Sequence, residues 1–153
     1  IPPRLRRTIR TVCTDMWDGY VNAVRESLQA DPECQMELVV DRFHVAEHYY
    51  EAADTLRKQE MKRLKHELPA EAYQQLHGVM WLFRHHSTDL DSDDQDRLAR
   101  LFSHAPALKT AYTLREKLTA LFDAPLSKAE ALRQITAWRA DVQASGLDCF
   151  KSS

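Results

Sequence analysis

Two aspartates, Asp15 and Asp41, occupy the same place in two similar stretches: each closes a short apolar run, Thr11-Val12-Cys13-Thr14 and Glu37-Leu38-Val39-Val40, and each precedes helical periodicity. An acid at the carboxyl end of a buried strand points its carboxylate out of the sheet edge, where ligands and metal ions bind in open α/β sheets. Phosphodiester cleavage with two divalent cations needs several carboxylates converging on ions roughly 3.5–4 Å apart. One or two strand-end aspartates are half of such a site. Aspartate is also a favoured helix N-cap, so capping is the bland alternative at both positions. Asp18, one turn beyond Asp15, is a nearby acid expected to cap or to face solvent.

Other residue types offer less specific chemistry. His44 and His48 share a helix face with Asp41 within reach, but no cysteine and no suitably placed glutamate accompany them, so zinc is not expected. His85 and His86 are adjacent and face different ways, as at a solvated helix end. Arg57, Lys58, Lys62, Arg63 and Lys65 recur at helical spacing and make a stripe that either follows a phosphate backbone or is merely solvated. Trp81 and Trp138, spaced with Leu82, Phe83 and Ile135, are expected in the core. The alternative for them is stacking on a displaced base.

The elements that must position these groups are read from periodicity and caps. Pro2 and Pro3 open a short helix bearing Leu5 and Ile9, and arginines at 4, 6, 7 and 10 make this end basic. Residues 11–14 form a strand, and 16–29 a helix through Trp17, Tyr20, Val21, Val24 and Leu28. Asp31-Pro32 breaks that helix before the second strand at 37–40. One long helix is predicted over 43–68, with Val45, Tyr49, Ala52, Ala53, Leu56, Glu60, Met61 and Leu64 tracing a mostly apolar stripe. Beyond Leu68 capped helices follow: 70–84 behind Pro69, one from a Ser92/Gln95 capping box to His104, 107–123 behind Pro106, and one from a Ser127/Glu130 box to Ala144, stopped at Ser145-Gly146. The expected fold is mainly α with two short strands, a βαβα piece over residues 1–60 followed by an all-helical array over 61–153.

Bulk properties exclude several classes. With 153 residues, 44% hydrophobic and 29% charged, the chain suits a soluble globular protein, and no apolar run approaches the roughly 20 residues of a bilayer span. Only three glycines argue against an all-β fold. Cys13, Cys34 and Cys149, an odd number without CxxC spacing, suit free thiols in a reducing cytoplasm. A net charge of −2 gives no global nucleic-acid footprint, so DNA contact would rest on local basic faces. The segments share no solenoid period. The start at Ile1-Pro2-Pro3, without a methionine, reads as an internal piece of a longer chain.

T-D-M-W-D-G-Y-x-x-A-V, from Thr14, followed by V-V-D-R-F-H-V-A, from Val39, resembles the core signature of the ISL-three group of insertion-sequence transposases, which are DDE enzymes on a ribonuclease H-like fold. The likeness extends to D-x-L-R-K-Q-E from Asp54, M-W-L-F-R from Met80, A-Y-x-L-R-E from Ala111 and W-x-x-x-V-x-x-S-G-L-x-C-F from Trp138, and so covers nearly the whole chain. It implies that Asp15 is the second catalytic aspartate and a magnesium ligand, and that Asp41 and His44 form the supporting Asp-x-x-His motif. Implied too are an intact enzyme that cuts transposon ends and joins them to target DNA, and DNA contact by the basic residues 57–65. A first aspartate and a glutamate of the triad are expected outside these 153 residues, so the piece alone is expected to be inactive and a helical insertion to occupy 61–153. The rival is a non-catalytic helical module that binds DNA or another subunit. A strand lacking its neighbour is an open edge, which predicts self-association.

Overall fold

The computed structural model describes residues 2–15 and 17–150. Residues 1–48 and 49–153 form two compact units, the second built almost wholly of helices.

The first unit is a strand–helix–strand arrangement. α1 (Pro3–Arg6) is shorter than the proline-led pattern suggests, because the Thr8 hydroxyl donates 2.8 Å to the Leu5 carbonyl and the turn closes there. Arg7 then pairs with Asp31 at 2.8 Å and with Glu33, which neutralises part of the basic end. β1 (Thr11–Thr14) and β2 (Glu37–Val40) pair in parallel, Thr11 opposite Glu37 and Thr14 opposite Val40. Parallel neighbours require a crossover, which α2 (Asp18–Ala30) supplies. The first helical residue is Asp18, exposed in the first turn where its charge suits the helix dipole; Met16, where the sequence starts this helix, lies outside the described residues. A Cβ on Gly19 would come within 2.3 Å of the Trp17 ring, so glycine is what lets the indole lie over the start of α2.

α3 (Arg42–Glu67) follows β2 directly and runs on into the second unit. Most of its predicted stripe is buried: Tyr49, Ala53, Met61 and Leu64 are buried and Ala52 and Leu56 pack against them, while Val45 is half-buried outside this core and Glu60 pairs with Arg63. The sequence expects one helix over 70–84. Two short ones form instead, α4 (Ala70–Gln75) and α5 (Val79–Leu82), because Gly78 takes φ +80 between them. That left-handed residue ends one turn and redirects the chain, so that both Leu76 and Val79 are buried.

The remaining helices are α6 (Ser92–His104), α7 (Pro106–Asp123) and α8 (Lys128–Ala144). The cap of α6 is Asp91, whose carboxylate accepts from the Asp94 N–H at 2.8 Å, rather than the predicted Ser92. Gln95 accordingly does not close a box; its amide donates 3.1 Å to the Leu90 carbonyl. Ser127 does cap α8, accepting from the Glu130 N–H at 3.3 Å, and Gly146 at φ +67 ends it as expected. α7 is the central element: Leu108, Ala111, Tyr112, Leu114, Arg115, Leu118 and Leu121 are all buried. Trp138 packs at the edge of this core and donates 2.8 Å to the Leu114 carbonyl. Trp81 does not join it. Its neighbours Leu82 and Phe83 turn inward, while the four-residue α5 leaves the indole 64% exposed. Among the described residues no helix is long and apolar enough to cross a membrane.

Candidate active site and basic surface

The geometry that brings the two aspartates together comes from strand register. Thr14 and Val40 are the last paired residues, so Asp15 and Asp41 leave the same end of the pair side by side, and the Asp41 N–H donates 3.1 Å to the Thr14 carbonyl. Each then makes the same local turn. Asp15 Oδ1 accepts from the Trp17 N–H at 3.1 Å, and Asp41 Oδ1 accepts from the Phe43 N–H at 3.0 Å. Short acids favour this bond to the backbone two residues on, which fixes how the chain leaves the strand. At Asp41 it also satisfies an orphan N–H in the first turn of α3, the capping role that the sequence offered as the alternative.

The environments of the two acids differ. Asp15 is half-buried, and the Thr14 hydroxyl lies 3.4 Å from its Oδ1. With Thr14, Tyr20, Val24, Met36 and His44 it lines an open cleft of about 580 Å³. Asp41 is exposed and is not part of that lining. The Nδ1 of His44 lies 3.4 Å from Glu47 Oε2, one turn further along α3. Thus the cleft gathers Asp15 and His44, while Asp41 stands next to Asp15 along the sheet edge. Among the described residues no three His, Cys, Asp or Glu side chains converge as a metal would require, at His44 and His48 or anywhere else. The residues present therefore do not by themselves fit a two-ion centre.

The predicted basic stripe divides when its partners are examined. Arg63 is held by Glu60 at 2.7 Å, by Glu67, and by the His104 carbonyl at 2.9 Å, so it ties α3 to the end of α6. Arg57 is only 12% exposed; it bonds Asp54 and donates to the Met80 sulfur. Lys62 and Lys65 face solvent. Lys58 is 70% exposed, with its ammonium 2.9 Å from Asp54.

Two further arginines stand beside these residues, Arg84 exposed and Arg115 buried. Arg84 reaches Asp54 at 3.2 Å and lies over the Trp81 ring, 5.2 Å from its centroid. Lys58 foremost, with Arg57 and Arg84, holds the Asp54 carboxyl well below the ordinary carboxylate range, against a desolvation that opposes it. Arg115 is buried. It donates to the carbonyls of Phe83 and His85 and bonds Glu116 at 3.0 Å, while its Nε has no partner. Glu116 also accepts from the Ser87 N–H at 3.0 Å and hydroxyl at 2.8 Å, and lies 3.0 Å from His86 Nδ1. His86 is therefore bonded at Nδ1 while its side chain stays 38% exposed, and His85 faces solvent as expected of a helix end. The signals available in sequence were the Trp81–Arg84 spacing at i,i+3 and an arginine inside the apolar run of α7.

Comparison with known proteins is consistent with the motifs on which this geometry rests. A family model described as a transposase matches residues 2–153, and neither the curated proteins nor the solved structures gave a match. With the match running from Pro2 across both units, the chain belongs to the ISL-three group transposase family.

Proposed function

We propose that the first unit carries part of the centre with which a DDE transposase cuts the ends of its element and joins them to target DNA, and that Asp15 is the carboxylate it contributes. The observation behind this is the pair of parallel strands that end in register on Asp15 and Asp41, with Asp15 opening into a cleft shared with His44. In a ribonuclease H-like reading this is one strand–helix–strand portion of the catalytic sheet. His44 and Asp41 act beside Asp15 as positioning residues, and the helical unit contacts DNA through its exposed cations. The family likeness implies magnesium in the complete centre, whose further carboxylates would come from other segments of the enzyme. The two-stranded sheet has open edges among the described residues, which supports pairing with another strand, from the same polypeptide or from a second copy.

One observation favours the second reading, a helical module without catalysis: both aspartates are engaged in backbone turns. Asp15→Asn separates the two. Asparagine keeps the side-chain oxygen that accepts from the Trp17 N–H and removes the charge. In the protein that carries these residues, assayed on DNA bearing the element's ends, D15N is expected to abolish strand cleavage while stability and end binding persist. Cleavage retained by D15N would overturn the catalytic assignment.

A further inference from the structure

We infer that the helical unit carries a seat for an unpaired nucleotide, with Trp81 as the platform for the base and Arg84 and Lys58 as the receivers of its phosphate. This rests on the DNA partnership proposed above and adds to it a site and a strand state. An indole 64% exposed on a protein whose neighbouring residues are buried forfeits the burial that would otherwise favour it, yet a short helix holds it outward and Arg84 stacks on it at 5.2 Å.

The charge around Trp81 has a definite sign. Arg57, Lys58 and Arg84 share the single carboxylate of Asp54, three cations on one anion. Arg84 at 54% exposure and Lys58 at 70% keep donors towards solvent. Beside them lies an open cleft of about 670 Å³ that Tyr50, Glu51, Asp54, Lys58, Arg84 and Arg115 help to line, so that its three cations outnumber its two acids. A flat aromatic face next to exposed cations and a cleft is the combination that holds single-stranded nucleic acid, because every base has a π face and every nucleotide a phosphate. A duplex offers the phosphates but hides its base faces in the stack. The seat therefore selects unpaired DNA.

The test uses the full chain with a short single-stranded oligonucleotide and the same sequence as a duplex, each titrated over a range of salt. W81A is expected to weaken single-strand binding about tenfold, the usual worth of one stacked base, and to leave the duplex within about twofold. W81F should recover part of the loss, since it retains a ring. R84A should lower the slope of log affinity against log salt by about 0.7, one single-strand phosphate contact. Because Trp81 is exposed, the melting temperature of W81A should match the parent's, which separates lost stacking from lost fold. Absence of single-strand binding by the parent, unchanged binding by W81A, or an equal loss on single strand and duplex would each overturn the seat. These readouts do not depend on cleavage, so the seat and the assignment of Asp15 fail or stand separately.

Discussion

The two units are built to different standards of packing. In the helical unit, Leu64, Val79, Leu101, Leu108 and Ala111 are at most 1% exposed and join a continuous apolar cluster. Among the described residues of 1–48, Cys34 is the one buried apolar side chain, and α2 buries none, while Leu5, Trp17, Tyr20 and Phe43 are each at least half exposed. Hydrophobic burial scales with area removed from water, so the helical unit can hold itself together, whereas the strand pair leans on backbone hydrogen bonds and a thin apolar layer. The unit that holds the proposed chemistry is the less self-sufficient one. An isolated two-stranded sheet is marginal, and a third strand or a covering helix is what such a pair ordinarily needs.

The sharpest test of that contrast truncates one side chain in each unit. L101A removes a fully buried side chain in α6 and is expected to cost about 2–5 kcal/mol. V12A, in a half-buried strand position, should cost no more than about 1 kcal/mol. Urea denaturation in backgrounds that keep only Trp17, in the first unit, or only Trp138, in the second, the other tryptophans being replaced by phenylalanine, reads the two separately; equal losses would remove the contrast. A smaller effect lies at the break between α4 and α5. Gly78 sits at φ +80, and its would-be Cβ meets only the flexible end of Arg97, at an ordinary contact distance of 3.4 Å, so G78A tests mainly the backbone. A loss of about 1–2 kcal/mol in the same denaturation is expected, and none at the strand pair.

The smallest effect is electrostatic. Burial works against ionisation of Glu116, but the Ser87 N–H and hydroxyl and then Arg115 outweigh it and hold the carboxyl below its ordinary value. A depressed folded value means stability that is present above the unfolded value, about 4.3, and lost as pH falls through the folded one. Melting temperature followed downwards from neutral pH should therefore fall more steeply through the acid range for the parent than for E116Q. Identical profiles would show that the Glu116 contacts do not contribute.

Elements with local signals were legible in the sequence. The two strands were found at their observed limits, Thr11–Thr14 and Glu37–Val40, because a β-branched run closed by aspartate is a local pattern. The stripe of α3, the proline start of α7 and the Ser127 cap were likewise local. What escaped depended on residues distant in sequence. Trp81 belongs to an apolar run and periodicity places it in a core, but the Gly78 break shortens the helix and turns that position outward. Arg57 and Arg63 look like a basic stripe until Asp54, Glu60 and Glu67 take up their charge. The convergence of Arg84 on Asp54, thirty residues earlier, is invisible to any local pattern. The aspartate pair was readable as two strand ends; that they emerge side by side follows from a parallel register no single segment encodes.

At the margin of the helical core, the rings of Tyr49 and Phe150 stack face to face with centroids 4.6 Å apart, and the Tyr49 hydroxyl is anchored on the Ala111 carbonyl. One ring belongs to α3 and the other to the short 3-10 turn that follows α8. The stack therefore sets residue 49 against residue 150, so the long stretch of chain between them is closed on itself by one pair of rings. Such a closure takes freedom from the chain between its ends much as a cross-link would, without a covalent bond.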